Sequence, residues 1–244
     1  MVEYLPEWSP TDNMGYPARL PPGGNVIESQ RERFIELLAE YGVIRFGDFV
    51  LKSGRKSPYF INAGELRTGR ALKGLGRAYA ERLSSAGLGC DIVFGPSYKG
   101  VPLAVATALA LAEGDREVGF CFDRKEPKGH GEGGLFVGMT PFDGSRVVIV
   151  DDVITSGGSI RHAAELLRAS ADVELTGIIV AVDRQERGRE KNTLLELEED
   201  LGVSVHAIVT IGDVVSHLGR TGRLPRDEAS AISTYLDRHS ANRP

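Results

Sequence analysis

The amino-acid sequence predicts an α/β fold built on a doubly wound, mainly parallel sheet of five strands with flanking helices. Short apolar runs rich in β-branched residues recur along the chain, as in strands that are buried on both faces. Between these runs lie segments whose apolar residues recur with the helical period. The clearest run, residues 147–150, is followed by two carboxylates and a glycine- and hydroxyl-rich turn. Strands that alternate with helices favour parallel pairing through right-handed crossovers.

Residues 1–27 are predicted to be an extension in front of a single domain that spans residues 28–244. The extension contains five of the 12 prolines and the single tryptophan, and it follows neither a helical nor a strand period. A tail without fixed structure is the first expectation. Packing of its aromatic residues onto the body or onto a neighbouring subunit is the alternative.

The first part of the domain is predicted to contain a helix and three short strands. The helix begins at Ser29 and ends at Gly42, a residue that suits a helix C-terminus. Three cations and a proline mark an exposed turn between the second and third strands. The strands are expected at residues 43–46, 49–51 and 59–61, and the turn at residues 52–58.

Helices and strands are predicted to alternate along the rest of the chain. A second helix, capped by Thr68, is predicted to end near Gly87. The strands that follow are predicted at residues 91–94, 118–122, 147–150, 175–182 and 203–209. The intervening helices are predicted at residues 101–113, 159–169 and 190–201. A C-terminal helix through Ile232 completes the domain.

Polar segments follow four of these strands at the point where each strand ends. They are residues 95–100, 123–125, 151–159 and 183–184. Ligands of parallel sheets bind beyond the carboxyl ends of the strands. We therefore expect the four segments to meet at one edge of the sheet and to form the functional site.

Composition limits the classes of partner. The 244 residues carry a net charge of -5, which argues against a general nucleic-acid surface. No run approaches the roughly 20 apolar residues of a membrane span, and the N-terminus lacks a basic start followed by an apolar run. Cys90 and Cys121 lack metal-ligand spacing and are too few for a disulfide scaffold. We expect a cytoplasmic protein with no nucleic-acid or membrane partner.

Asp151 and Asp152 are followed by a turn that suits an anion. Backbone N–H groups, hydroxyls and the positive end of a helix can converge there on one phosphate. The turn is formed by Thr155, Ser156, Gly157, Gly158 and Ser159. Acids beside a phosphate site suggest a sugar phosphate. A plain helix cap and a metal-binding acid pair are the alternatives, and the residues alone leave all three open.

Residues 150–159 resemble the motif that binds phosphoribosyl pyrophosphate (PRPP) in the type I phosphoribosyltransferases. The resemblance implies that residues 155–159 enclose the 5′-phosphate. It also implies that Asp151 and Asp152 accept hydrogen bonds from the ribose hydroxyls, where their charge favours positive charge developing at C1′. Mg2+ is the implied cofactor, held mainly by PRPP, and direct binding of the metal by the two aspartates stays open.

Residues 51–64 resemble the N-terminal hood of the orotate phosphoribosyltransferases, a group within that family. The resemblance assigns residues 28–66 to the hood. It implies that Lys52 and Phe60 contact the pyrimidine end of the bound substrates. Ile61 occupies a position where many members have a second aromatic residue, which leaves a backbone contact as its implied role.

Two further segments are similar to the same group. Residues 95–100 match its pyrophosphate loop, which implies that Tyr98 and Lys99 bind the pyrophosphate. Arg184 matches an arginine that meets the carboxylate of the base as a fork. An ordinary surface salt bridge is the alternative for Arg184.

Residues 124–134 combine cations and a histidine with glycine and proline, a composition too polar to pack. Composition alone fits a mobile lid and a surface excursion equally well. The segment resembles the catalytic loop of the orotate phosphoribosyltransferases, although Gly129 replaces a commonly acidic residue. In that group the loop closes over the active site of the neighbouring subunit, which implies a homodimer with shared active sites. The residues implicated are Arg124, Lys128 and His130, acting in trans, and Lys125 close by.

The resemblance thus implies a reaction. Orotate and PRPP, with Mg2+, would give orotidine 5′-monophosphate and pyrophosphate in pyrimidine biosynthesis. A phosphoribosyltransferase for another base shares the acidic motif but lacks the hood and the lid pattern. A regulator that senses PRPP without catalysis keeps the fold as a binding module, and the acidic composition argues against it.

Overall fold

The computed structural model describes residues 30–51, 54–124, 134–154, 156–188 and 191–240. The predicted extension, residues 1–27, lies outside these ranges. Five predicted site residues also lie outside them: Lys52, Lys125, Lys128, His130 and Thr155.

Within the described residues the chain forms eight strands, seven α-helices and one short 3-10 helix, Ala63–Glu65. The strands are β1 (Ile44–Val50), β2 (Lys56–Ile61), β3 (Ile92–Phe94), β4 (Gly119–Asp123), β5 (Phe136–Gly138), β6 (Arg146–Val153), β7 (Glu174–Asp183) and β8 (Val205–Thr210). The α-helices are α1 (Gln30–Glu40), α2 (Gly69–Ser85), α3 (Gly100–Ala112), α4 (Gly158–Ser170), α5 (Thr193–Leu201), α6 (Ile211–Arg220) and α7 (Arg226–His239). None of the helices in the described ranges combines the length and the hydropathy that a membrane crossing requires.

Six strands form the main sheet, in the order β5-β4-β3-β6-β7-β8. The five strands from β4 to β8 in that order run parallel to their neighbours, and they are the five that the sequence predicts. The α/β fold class is therefore confirmed. The sixth strand, β5, pairs antiparallel with β4, with Gly138 opposite Cys121. The sequence does not predict β5, because its short apolar run at residues 135–137 lies between glycines that indicate a loop.

Successive residues of the central strand β6 belong to different apolar clusters. Val148 and Val150 lie in a cluster with residues of α1, α2, α3, α6 and α7. Val147 and Ile149 lie in a second cluster with residues of α4 and α5. All four side chains are fully buried, as a parallel strand covered on both faces requires. Close packing on both faces fixes the strand and hence the residues at its carboxyl end.

Two helices, α2 and α6, begin at capping residues that can be recognised in the sequence. Thr68 caps α2 as predicted, since its Oγ1 accepts a hydrogen bond from the Ala71 N–H at 3.3 Å. No helix is predicted from the sequence at α6, although α6 begins with a capping box. There Thr210 Oγ1 accepts from Asp213 N at 3.0 Å, and Asp213 Oδ2 accepts from Thr210 N at 2.8 Å.

Strands β1 and β2 form a separate antiparallel hairpin in the region predicted as the hood. The two strands predicted at residues 43–46 and 49–51 are one strand in the structure. A bulge between Phe46 and Phe49 interrupts the register without ending the pairing. Gly47 within the bulge has a φ of +135°, which favours glycine and explains why the sequence pattern breaks there.

Candidate active site

The parallel strands bring the predicted polar segments to one edge of the sheet. β3 leads into Gly95, β4 ends at Asp123 and β7 ends at Asp183, all at their carboxyl ends. The loop after β3 is bonded to the end of β4, since Ser97 N donates to Asp123 Oδ1 at 2.7 Å. The Ser97 hydroxyl also donates to the Asp123 carbonyl oxygen. Hydrogen bonds therefore fix the loop after β3 against the carboxyl end of β4 at this edge of the sheet.

Asp151 and Asp152 lie within β6, which continues to Val153, and not beyond the end of the strand as the sequence suggested. Both side chains are buried. Asp151 Oδ1 accepts from Asp152 N at 2.9 Å, and Asp151 Oδ2 accepts from Ser159 Oγ at 2.8 Å. Burial, and then the charge of Asp152, raise the pKa of Asp151. The fully buried Tyr79 supports the strand by donating to the Asp151 carbonyl oxygen at 2.7 Å.

The loop between β3 and α3 is tightly folded and projects a lysine. A Cβ built on Gly95 would lie 2.0 Å from the carbonyl oxygen of Gly100, so the two ends of the loop approach too closely for any side chain at Gly95. Lys99 Nζ lies 2.8 Å from Asp152 Oδ2. The side chains of Lys99 and Tyr98 are both largely exposed, so the lysine can reach a ligand without leaving the fold.

The turn after β6 opens directly into α4. Gly157 has a φ of +72° and precedes the first helical residue. A Cβ at this glycine would lie 2.7 Å from Leu197 Cδ2, so both conformation and space favour glycine. Ser156, Gly158 and Ser159 are exposed at the start of the helix. The N-terminus of this 13-residue helix is thus open to an anion and lies beside the two aspartates.

Arg184, just after β7, is buried and paired within the chain. Only 7% of its side chain is exposed. Its Nε and Nη2 donate to Glu186 Oε1 at 3.0 and 2.6 Å. Its guanidinium carbon lies 4.6 Å from the centre of the Tyr59 ring, in cation-π contact. The pair is therefore not the ordinary surface salt bridge that stood as the alternative for this residue.

The hairpin residues predicted to contact substrate differ in exposure. Phe60 is partly exposed and stacks on Phe49, with 5.7 Å between the ring centres. Ile61 is buried in the core, so its side chain is turned away from solvent and its backbone is the part that a ligand could meet. At the neck of the predicted lid, Arg124 N donates to the Leu135 carbonyl oxygen at 2.7 Å, which joins the two sides of residues 125–133.

Comparisons relate the chain to known proteins. Residues 62–206 match the family model described as "Phosphoribosyl transferase domain". The orotate phosphoribosyltransferase of Photobacterium profundum is 50% identical over 211 residues, which cover 86% of this chain and 97% of the relative. That of Lachnoclostridium phytofermentans is 46% identical over 221 residues, covering 87% and 98%. The crystal structure of the Francisella tularensis orotate phosphoribosyltransferase superposes with a TM-score of 0.74 at 30% identity, covering 85% of this chain and 96% of that one.

The chain belongs to the orotate phosphoribosyltransferase family. Orotate phosphoribosyltransferases are pentosyltransferases, so the chain is a transferase enzyme. The strand-end acids, the glycine-rich turn and the lysine loop lie within the residues that match the family model.

The site offers few protein ligands for a metal. Within the described residues, no group of three or more histidine, cysteine, aspartate or glutamate side chains could hold a metal ion. Asp151 and Asp152 form an acidic pair. Mg2+ is commonly bound by one or two carboxylates together with substrate phosphates, so this donor set fits a metal that arrives with a phosphorylated substrate.

Sequence reasoning missed a group of residues around Glu186. Glu186 is bonded to Arg55, Tyr59 and Tyr235 as well as to Arg184. The Arg-x-Glu spacing of residues 184 and 186 was a local signal for one of these contacts. The others join distant parts of the chain and leave no local pattern.

A cavity of about 490 Å3 is lined by residues of the hairpin and of α7. Its walls include Phe49, Lys56, Pro58 and Tyr235. None of the described residues predicted for the phosphoribosyl site lines it. The described residues that the sequence predicts for the phosphoribosyl site therefore lie outside the lining of this cavity.

Proposed function

We propose that the chain transfers the 5-phosphoribosyl group of PRPP to orotate in a Mg2+-dependent reaction, giving orotidine 5′-monophosphate and pyrophosphate for pyrimidine biosynthesis. Close similarity to orotate phosphoribosyltransferases over nearly their full length supports the reaction. The observation that best supports the site is the ion pair between Lys99 and Asp152, at 2.8 Å. It joins the loop proposed for pyrophosphate to the acids proposed for ribose. PRPP carries both groups, so the two segments that bind it must lie close together.

The turn at the start of α4 is proposed to bind the 5′-phosphate. The residues assigned to it are Thr155, Ser156, Gly157, Gly158 and Ser159. Glycines let the backbone approach the phosphate closely, and the helix N-terminus contributes its positive dipole. The exposed Ser156 can add a hydroxyl donor beside the backbone N–H groups, whereas the Ser159 hydroxyl donates to Asp151 Oδ2.

Asp151 and Asp152 are proposed to accept hydrogen bonds from the ribose hydroxyls. When the bond from C1′ to pyrophosphate breaks, positive charge develops on the ribose. Two carboxylates fixed in a buried strand stabilise that charge without having to reorganise. The same acids are the protein ligands that the site offers to Mg2+.

Lys99 and Tyr98 are proposed to bind the pyrophosphate. The lysine neutralises charge on the leaving group, and it can exchange Asp152 for a phosphate oxygen because its side chain is largely exposed. Mg2+, when bound with PRPP, supplies further positive charge to the departing pyrophosphate. Both contributions favour departure of the leaving group.

The orotate ring is proposed to lie between the hairpin and the end of β7. Lys52, Phe60 and the backbone of Ile61 are assigned to the ring, and Arg184 to its carboxylate. Phe60 keeps a partly exposed face that a flat ring can contact. A guanidinium matches a carboxylate as a planar fork, which favours orotate over bases without that group.

The segment at residues 124–134 is proposed to act as a lid on the active site of a neighbouring subunit in a cytoplasmic homodimer. Arg124, Lys128 and His130 would act in trans on the pyrophosphate, and Lys125 would lie close by. Closure over the substrates would exclude the water that otherwise hydrolyses PRPP.

Orotate consumption tests the proposal. The purified protein is incubated with PRPP and Mg2+, and the absorbance of orotate is followed, with adenine, hypoxanthine and uracil in parallel. We expect loss of orotate alone, arrest of the reaction when the metal is chelated, and recovery when Mg2+ is added back. Consumption of another base in place of orotate, or binding of PRPP without turnover, would overturn the assignment.

A further inference from the structure

Glu186 is the centre of a hydrogen-bonded network that joins three parts of the chain. Its Oε1 accepts from Arg184 Nη2 at 2.6 Å, from the Tyr235 hydroxyl at 3.0 Å and from the Tyr59 hydroxyl at 3.2 Å. Its Oε2 accepts from Arg55 Nη2 at 2.6 Å. Arg55 and Tyr59 belong to the hairpin region, and Tyr235 lies on α7. One carboxylate therefore connects the hairpin, α7 and the end of β7.

The two arginines of the network are also supported by the two tyrosines. The guanidinium of Arg184 packs over Tyr59, and the guanidinium carbon of Arg55 lies 6.0 Å from the centre of the Tyr235 ring. The two tyrosine rings pack edge to face, with 5.8 Å between their centres. Arg184 thus has contacts from a carboxylate and from a ring, which together restrict both its position and the plane of its guanidinium.

The charges of the network do not balance. Two guanidinium groups share one carboxylate, so the group carries an excess of one positive charge. Burial raises the pKa of Glu186, but the charge and hydrogen bonds of Arg184, the charge of Arg55 and a hydrogen bond from Tyr235 outweigh it and hold that pKa below its ordinary value. Glu186 is therefore ionised at neutral pH. The buried pair of the network is Arg184 and Glu186, and Arg55, whose side chain is 34% exposed, adds a partly solvated positive charge beside it.

Arg184 follows β7 at the carboxyl edge of the sheet, where the proposed function assigns it to the carboxylate of orotate. Glu186 occupies the Nε and Nη2 donors of Arg184, and a guanidinium has five N–H donors in all. Donor capacity and positive charge thus remain for a second carboxylate.

We propose that Glu186 is a positioning residue that orients the Arg184 guanidinium toward the carboxylate of orotate, and that Arg55 and Tyr235 hold Glu186 in place. This inference rests on the proposed function. It makes the affinity for the base depend on the hairpin turn and on α7, through residues that do not contact the base.

The test compares Glu186→Gln with Glu113→Gln, a matched change of an exposed glutamate that pairs with Arg77 and Lys73 away from the rim. Glutamine keeps the shape of Glu186 and removes the charge that orients Arg184. We expect Glu186→Gln to raise the KM for orotate about 10-fold, the size of a lost charge-assisted hydrogen bond, with the KM for PRPP within about twofold of wild type. Glu113→Gln should leave both constants unchanged. A wild-type KM for orotate in Glu186→Gln would overturn the inference.

A double-mutant cycle separates positioning from general stability. If Glu186 acts through Arg184, Glu186→Gln should change the KM for orotate by less than about twofold once Arg184→Gln is present. Independent, multiplicative effects of the two substitutions would contradict the inference. So would equal increases in the KM values for orotate and PRPP, which indicate a general loss of structure.

Tyr235→Phe provides the test should Glu186→Gln not fold. It removes one hydrogen bond to Oε1 and keeps the ring that packs on Tyr59. We expect a rise of about two- to threefold in the KM for orotate alone, and no change would overturn the inference. Failure of the proposed function and failure of this inference give different results. A wild-type protein that does not consume orotate refutes the proposed function, whereas an active wild type with unaffected variants refutes only the role of Glu186.

Discussion

Lys99 Nζ and Asp152 Oδ2 lie 2.8 Å apart, so the loop after β3 and the carboxyl end of β6 are joined by an ion pair. The pyrophosphate of PRPP would compete with Asp152 for this lysine. The ribose hydroxyls of PRPP would then take the place of the lysine on Asp152. We expect Lys99→Gln to lower kcat/KM for PRPP by about 10²- to 10³-fold, the loss typical of one preorganised charge-stabilising donor. Steady-state kinetics with orotate and PRPP measure it.

Lys73→Gln is the matched control for this prediction. Lys73 is an exposed lysine that pairs with Glu113 at 3.4 Å, and its replacement should leave the kinetics at the wild-type level. Lys73→Gln should also keep the wild-type melting temperature, because an ion pair between two exposed side chains contributes little to stability. Wild-type kinetics in Lys99→Gln would remove this lysine from the proposed pyrophosphate site.

The two buried acids predict an unusual pH dependence of stability. Burial and the neighbouring Asp152 raise the pKa of Asp151 in the folded state. The favourable contribution of Asp151 to the free energy of unfolding is therefore complete below the pKa of the unfolded chain, about 3.9. It is lost as pH rises through the folded pKa. We expect Asp151→Asn to gain stability relative to wild type as pH rises from about 4 to 8. Urea denaturation at several pH values measures the difference.

Asp91→Asn should show the opposite trend. Asp91 is paired with Arg146 at 2.7 Å, and the hydrogen bonds from Arg146 lower its pKa. Its contribution is therefore present above the pKa of the unfolded chain and is lost as pH falls through the folded pKa. We expect this variant to be less stable than wild type at neutral pH, with a difference that shrinks in acid. The same trend in both variants would refute the electrostatic explanation for Asp151.

The sequence predicted the parts of the molecule that follow from local pattern. The five parallel strands are apolar over several residues, and Thr68 has the composition of a helix cap, so each could be recognised without its neighbours. β5 was not predicted because its short apolar run lies between glycines and the strand is defined by its pairing with β4. α6 carried a local signal, the Thr-x-x-Asp start at Thr210, which was overlooked.

Contacts within the site could not be predicted in the same way. Resemblance identified Lys99 and Asp152 separately, but their ion pair depends on how the loop after β3 folds against β6. The network joins Glu186 to Tyr235, which is 49 positions away along the chain, and to Arg55, which is 131 positions away. Side-chain pairings across such distances depend on the tertiary structure, and a single sequence contains no periodic signal for them.

Gly157 links the phosphate turn to the packing of α5, and this link can be tested. Its φ is +72°, and a Cβ there would lie 2.7 Å from Leu197 Cδ2. We expect Gly157→Ala to lower the free energy of unfolding by about 1–3 kcal/mol through strain and overpacking. Gly158→Ala should stay within about 1 kcal/mol of wild type, because the nearest atom to a Cβ there, Ser156 Oγ, is 3.7 Å away. Equal losses in the two variants, measured by urea denaturation, would contradict this explanation.

The proposed lid predicts a result that only shared active sites can give. Lys128→Ala alone should lower turnover by about 10²- to 10³-fold, as expected for one lost charge-stabilising donor. A heterodimer of one Lys128→Ala subunit and one Lys99→Gln subunit, co-expressed with two different affinity tags and purified through both, contains two defective chains. If the lid acts in trans, one of its two sites combines an intact Lys99 with an intact lid, so we expect about half of the wild-type turnover. If each lid serves its own subunit, both sites carry a defect and turnover stays at the level of the single variants. Turnover at that low level in a stable heterodimer would therefore refute the shared site.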